Sequence, residues 1–222
     1  MARTARAIVG GCCYHVLSRG NNRGTVFHDE GDYSYFVSLV TRAQRRVRIE
    51  LLAACLMPNH VHFVLRPAGK YDISRWAHWL LTTHVKHHHA KYGSVGRVWQ
   101  GRFKAFLIQE DAHLLTVMRY VERNPLRAGL VKFAEQWPWG SLNWRTSLGT
   151  DPMLAPSPVR LPDNWGAYVN EAQTLEELAA VRTAVNRERP FGSPSWVKRR
   201  AKELGLSQSL RPACRPKKRQ AK

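Results

Sequence analysis

Two histidines one residue apart, His60 and His62, follow Met57-Pro58-Asn59. Pro58-Asn59 reads as a turn. Beyond it the pattern alternates, so Val61, Phe63 and Leu65 point to one face of a strand and His60, His62 and Val64 to the other. Two imidazoles on one strand face form half of a metal site; the competing reading is an ordinary histidine pair at a strand edge. Tyr120 and Asn124, in Met118-Arg119-Tyr120-Val121-Glu122-Arg123-Asn124-Pro125, are four apart and share a helix face, although Pro125 biases Asn124 away from helical geometry. A phenol of pKa ~10 is a poor nucleophile at neutral pH. Against a phosphodiester it needs a cation on the phosphate oxygens or a group that lowers its pKa. Two histidines and an oxygen ligand suit Mn²⁺ or Mg²⁺ with positions left open for phosphate and water, imidazole favouring Mn²⁺ and oxygen Mg²⁺. A helical tyrosine alone is ordinary packing; its weight comes from the combination.

The elements that must position these residues can be read in order. Tyr14 to Arg19 is a strand ended by Gly20-Asn21-Asn22-Arg23-Gly24. Tyr33, Phe36, Val37 and Val40 give helical spacing within about Asp29–Val47, with acids at its start and Arg42, Arg45 and Arg46 at its end. Ile49 to Leu56 is an apolar strand that forms a hairpin with the histidine strand. Asp72 caps a long helix to Tyr92, and Gly93-Ser94-Val95-Gly96 stops it. A strand-like run, broken at Gly101, spans Val98 to Gln109. Asp111 then caps a helix that ends near Asn124-Pro125. This order is the split βαβ of a ferredoxin-like α+β fold, an antiparallel sheet with two helices on one face and a further helix after the last strand. From Trp137 the Trp- and Pro-rich texture predicts a wrapping segment. Leu175–Arg187 reads as a helix, and Ser193-Pro194 starts another that Gly205 stops. The expected organisation is a catalytic domain over 1–148 and a basic, mostly helical DNA-binding extension over 149–222.

With 35 Lys+Arg against 16 Asp+Glu, the formal net charge is +19. That balance points to a polyanionic partner, most often nucleic acid. Residues 182–222 hold thirteen Lys+Arg and two Glu, so +11 of the charge lies there. No apolar run approaches the ~18–20 residues of a membrane span, and no apolar core follows the basic N-terminus to make a secretory signal. Cys12, Cys13, Cys55 and Cys214 form neither a disulfide framework nor a zinc pattern. A reducing cytoplasm with nucleoid association is expected. His84 and His88, four apart on the second helix, have no Glu next to His84, so a zinc-protease reading fails and they read as helix packing or a solvent-facing polar stripe.

His60-Val61-His62 resembles the His-hydrophobic-His motif of the HUH single-strand nucleases. Tyr120-x-x-x-Asn124-Pro125 resembles the catalytic tyrosine segment of IS200/IS605-type transposases. Tyr14-His15-Val16-x-x-Arg19-Gly20-Asn21 and Trp99-Gln100-Gly101-Arg102-Phe103-Lys104 are similar to the REP-associated branch, strongly over residues 8–148. Arg189-Pro190-Phe191-Gly192 and the Trp196 helix resemble its C-terminal region. The resemblance implies that Tyr120 attacks single-stranded DNA beside a palindromic hairpin, leaving a 5′-phosphotyrosine and a free 3′-OH. His60 and His62 would hold Mg²⁺ or Mn²⁺, with Asn124 at the third-ligand position, where other members often carry Gln.

Arg19, Asn21, Arg102 and Lys104 are expected along the DNA, with Arg123 and Arg127 near the cleaved strand. Lys198, Arg199 and Arg200 are expected on the hairpin stem. The alternative for these cations is a solvated basic face. A monomer is expected, a dimer being open. Two other readings stand beside the nuclease: a non-catalytic hairpin-binding protein on the same fold, and a ferredoxin-like RNA binder. The second predicts an aromatic RNP pattern that the strands lack.

Overall fold

The computed structural model describes residues 8–146 and 154–211. The basic run Arg215–Lys222, Cys214 and the expected boundary at 148/149 lie outside the described residues.

The histidine strand is an inner strand of a four-stranded antiparallel sheet. Its members are β1 (Cys13–Arg19), β2 (Ile49–Met57), β3 (His60–Pro67) and β4 (Lys104–Ile108), in the spatial order β2-β3-β1-β4. That is the ferredoxin-like arrangement. Helices α1 (Glu30–Arg46) and α2 (Asp72–Tyr92) cover one face. Val61, Phe63 and Leu65 meet Tyr14, Val16, Phe36, Leu39, Trp76 and Leu80 in that core. Asp29 caps α1 by accepting from the Asp32 backbone N–H at 2.9 Å. Gly93, in the left-handed region at φ 57°, closes α2.

The opposite face carries the histidines. It is covered by α3 (Ala112–Glu122), which α4 (Asn124–Arg127) prolongs by one turn, and by the C-terminal region. On β2 the register shifts between Leu51 and Ala53. The bulge turns both Leu52 and Ala53 into this second core, beneath α3.

The chain beyond α4 shares this core. It includes α5 (Ser141–Thr146), α6 (Trp165–Asn170), α7 (Leu175–Arg187) and α8 (Pro194–Glu203). Trp165, Val169, Val181 and Val185 join Leu114, Val117 and Val121 of α3. The same region covers both sheet edges, which otherwise expose unpaired backbone groups. Ala155 N–H donates to Leu51 O at 2.8 Å on the β2 edge. Phe191 N–H donates to Leu107 O at 2.8 Å and Gln109 N–H to Phe191 O at 2.9 Å on the β4 edge. A Cβ on Gly192 would meet Gln109 Oε1 at 2.6 Å and Trp196 at 2.7 Å, so only glycine lets this segment seat.

The expected strand over Val98–Gln109 is shorter in the structure. Residues 96–103 form a loop with Gly96 and Gly101 at positive φ, and only Lys104–Ile108 pairs as a strand. Trp99 is buried against Phe27, Phe36 and His84 instead. Trp99 keeps an isolated antiparallel bridge to Gly20 beyond the end of β1, with Asn21 N–H donating to Val98 O at 2.8 Å and Gln100 N–H to Arg19 O at 2.7 Å, and the break at Gly101 separates this bridge from β4. Among the described residues none of the tryptophans is exposed, and no helix is long and apolar enough to cross a membrane.

Candidate active site

His60 is held by its turn. Gly20 N–H donates to Asn59 O at 2.8 Å, and Val26 N–H to Pro58 O at 2.8 Å, so the loop after β1 clamps Pro58-Asn59. Asn59 Nδ2 donates to Arg23 O at 2.9 Å. That contact fixes the amide, and Asn59 Oδ1 then lies 2.6 Å from His60 Nδ1. The oxygen accepts, so His60 carries its proton on Nδ1 and keeps a lone pair on Nε2.

His62 is buried, and its Nδ1 lies 2.7 Å from Nε2 of His15, also buried. When His62 donates across this bond, its Nε2 is likewise the nitrogen with a lone pair. His15 sits on β1 beside Phe106, with ring centroids 4.9 Å apart. It is the residue that sequence reasoning missed. Period two along β1 puts it on the face of His62, but only the strand register brings the rings together.

All three imidazoles are neutral at physiological pH. Burial lowers His15 to about 3. Burial, then Arg19 and Arg127, lower His60 to about 4. Burial, then His60, His15 and the same two arginines, hold His62 well below its ordinary value. Neutral imidazoles with oriented outer nitrogens are what a divalent metal takes as ligands. Among the described residues no cluster of three or more His, Cys, Asp or Glu is placed to hold a metal, so a cation here would rest on two imidazoles and uncharged oxygens.

Tyr120 lies beside His62 and His15. Its ring centroid is 5.9 Å from His62 and 6.4 Å from His15, edge-on to both. The Arg127 guanidinium stands 4.3 Å above the Tyr120 ring, and Arg127 Nη2 donates to Asn124 Oδ1 at 2.8 Å. Tyr120, Asn124 and Arg127 thus follow one another along one face, because the backbone at Arg123 stays near-helical (φ −79°, ψ −6°) despite Pro125. Glu122 is turned away, accepting from Ser141, Arg145 and Trp165. Arg123, expected near the cleaved strand, donates instead to the α6 carbonyls of Val169 and Asn170. The structure brings Arg127 to Tyr120 but not Arg123.

Arg19 is the cross-strand partner of His60 and also walls a cleft of about 340 Å³ with Gln100, Arg102, Lys104 and Asn186. The structure therefore gathers Arg19, Arg102 and Lys104 beside the histidines. Asn21 is exposed at the neighbouring turn. Lys198, Arg199 and Arg200 lie elsewhere. Their helix follows the β4-edge segment at the Cys13 end of β1, ~20 Å from the Arg19 end at ~3.3 Å per residue.

The family model for IS200-like transposases matches residues 8–124, which include the histidine pair, Tyr120 and Asn124. A Haemophilus influenzae protein provisionally named a REP-associated tyrosine transposase is 27% identical over 105 residues, 42% of this chain and 59% of its own length. The chain thus spans somewhat more than half of that relative. The REP-associated tyrosine transposase of Escherichia coli K12 is 23% identical over 148 residues, 66% of this chain and 85% of its own. A solved REP-associated tyrosine transposase bound to a REP hairpin superposes with a TM-score of 0.53 at 20% identity, over 70% of this chain and 92% of that one. That likeness speaks to the fold, and the family match covers more than half of the sequence. The chain belongs to the IS200-like transposase family.

Proposed function

We propose that the chain is a metal-dependent single-stranded DNA endonuclease and strand transferase that acts beside palindromic hairpins, in DNA transposition or palindrome-repeat mobilisation. The observation that carries this is the Tyr120 ring, set edge-on to His62 and His15 and beneath the Arg127 guanidinium. The charges acting on His60 and His62, those of Arg19 and Arg127, are both positive. A cation added to such a place is held better with an anion between the charges, and a phosphodiester is such an anion. The relative solved with a REP hairpin supports hairpin DNA as the partner.

His60 and His62 would hold Mg²⁺ or Mn²⁺, which supplies Lewis-acid polarisation of the scissile phosphate when bound. Tyr120 Oη attacks phosphorus, the P–O3′ bond breaks, and the phenol proton is balanced by the one gained at the released 3′-OH. The product is a 5′-phosphotyrosine. Reversal rejoins strands without external energy, because one phosphodiester replaces another. Arg127 holds its guanidinium 4.3 Å from the Tyr120 ring, a fixed positive charge for the phosphate that Tyr120 would attack.

End-labelled hairpin oligonucleotides with single-stranded flanks, drawn from palindromic repeats, test this in Mg²⁺, Mn²⁺ or EDTA. A denaturant-stable protein–DNA adduct that requires metal and disappears in Tyr120→Phe is expected. Cleavage by Tyr120→Phe would overturn the mechanism. Tight binding without cleavage under any metal would favour the hairpin-binding reading.

A further inference from the structure

Two donors beside Tyr120 have no acceptor. Asn124 Nδ2 and Arg127 Nη1 are both buried and lack a hydrogen-bond partner among the described residues. Buried donors are nearly always satisfied, so two on adjacent turns of one helix face call for a ligand. Their orientation is not arbitrary. Arg127 has only donors, so the Asn124 atom that faces Nη2 at 2.8 Å must be the oxygen. The amide NH₂ is left as the free end. The guanidinium is likewise pinned, by Asn124 Oδ1 on Nη2 and by the Tyr120 ring 4.3 Å away. A residue set to ligate a metal would offer its oxygen; Asn124 has its oxygen on an arginine and its NH₂ unmatched.

We infer that Asn124 Nδ2 and Arg127 Nη1 form a donor pair for a non-bridging oxygen of the scissile phosphodiester, so that Asn124 serves the phosphate and not the metal. The inference rests on the proposed tyrosine chemistry for the identity of its ligand. It makes the site two-sided. His60 and His62 would hold the cation, and the Asn124–Arg127 pair would hold the anion from the helix. An oxygen that gains charge as phosphorus becomes five-coordinate is met by fixed donors. The other candidates carry less. The groove of about 550 Å³ between α2 and the 96–103 loop has nothing to say what fills it, and His84 and His88 lack a third ligand among the described residues.

The test uses the full chain labelled with ¹⁵N at asparagine and arginine, with side-chain signals assigned through bonds. Metal-free titration with inorganic phosphate is expected to shift the Asn124 Nδ2 and Arg127 guanidinium signals saturably, and Arg127→Ala to abolish the Asn124 shift. Mn²⁺ titration is expected to give the same affinity within about threefold for wild type and Asn124→Ala, while His60→Ala loses binding. Adduct formation in single turnover should fall by about 10²–10³ in Arg127→Ala, the usual effect of losing one such donor, while Mn²⁺ affinity is kept or raised because a positive charge near His60 and His62 is gone. An Asn124 signal indifferent to phosphate overturns the pair, as does a tenfold or greater loss of Mn²⁺ affinity in Asn124→Ala. If wild type forms no adduct on any hairpin, the proposed function fails, and the phosphate and Mn²⁺ titrations still decide the pair.

Discussion

Nε2 of His15 lies 2.7 Å from Nδ1 of His62, and both rings are buried where β1 meets β3. The bond is short enough to fix both rings, so His15 selects which nitrogen of His62 is left for a ligand. Removing such an outer-shell partner typically weakens metal binding 10–100-fold. His15→Phe keeps the ring packing on Phe106 and lacks the acceptor. Its Mn²⁺ affinity is expected to fall by about that factor, and its stability by about 1–3 kcal/mol because the buried His62 Nδ1 loses its partner. Mn²⁺ titration with a parallel melt checks both, and unchanged affinity would show that His62 is oriented by packing alone.

Much of this centre is legible in the sequence because it is local. Period two puts His60 and His62 on one strand face, and spacing of four puts Tyr120 and Asn124 on one helix face. The parts that are not legible depend on contacts distant along the chain. His15 joins His62 through strand register, which no local signal sets. Arg123 and Arg127 look alike in the sequence, yet α6 supplies carbonyls to one and Tyr120 a ring to the other. The loop at 96–103 reads as strand because Val98, Trp99 and Phe103 are apolar; in fact Trp99 and Phe103 fill the α1–α2 core.

His84 gives the fold an acid sensitivity away from the active site. It is buried among Phe27, Phe36 and Trp99, its Nδ1 has no partner among the described residues, and burial lowers it to about 3. The unfolded chain takes a proton on this ring near pH 6.5, whereas the folded protein resists until far lower. The stability tied to His84 is therefore full above pH 6.5 and is lost as pH falls toward 3. In His84→Leu that loss is absent. Relative to wild type the variant should gain about 1.6 kcal/mol between pH 6.5 and pH 5, the slope rising toward about 1.4 kcal/mol per pH unit as the unfolded ring becomes fully protonated. Urea melts at the two pH values measure the difference; equal pH dependence in the two proteins would mean that His84 is protonated in the fold.

Gly192 ties the C-terminal region to the sheet. A methyl group there would meet Gln109 and Trp196 at under 3 Å, and the Phe191 bonds to β4 must open to relieve it. Gly192→Ala is expected to cost about 1–3 kcal/mol, the usual penalty for overpacking. It should also expose the chain after α7 to proteolysis before the sheet unfolds. A variant as stable and as protease-resistant as wild type would show that the edge segment seats without this contact.

The two basic groups should separate in their salt dependence. Arg19, Arg102 and Lys104 gather at the cleft beside His60, whereas Lys198, Arg199 and Arg200 ride on α8 at the far end of β1. Arg200 is partly engaged, donating to Glu203 at 3.0 Å, and Lys198 and Arg199 are exposed. If the cleft follows single-stranded DNA, replacing Arg102 and Lys104 by Ala should weaken binding of an unpaired oligonucleotide. It should also reduce the slope of log affinity against log salt by about 0.7 per residue. If α8 holds the duplex stem, Lys198→Ala with Arg199→Ala should leave the unpaired oligonucleotide unaffected. For a hairpin-bearing one, the slope should fall by about 0.9 per residue. Filter-binding or anisotropy titrations across a salt series read both slopes. Equal losses on both substrates from either pair would mean that the charges act as one diffuse field, with no division between strand and stem.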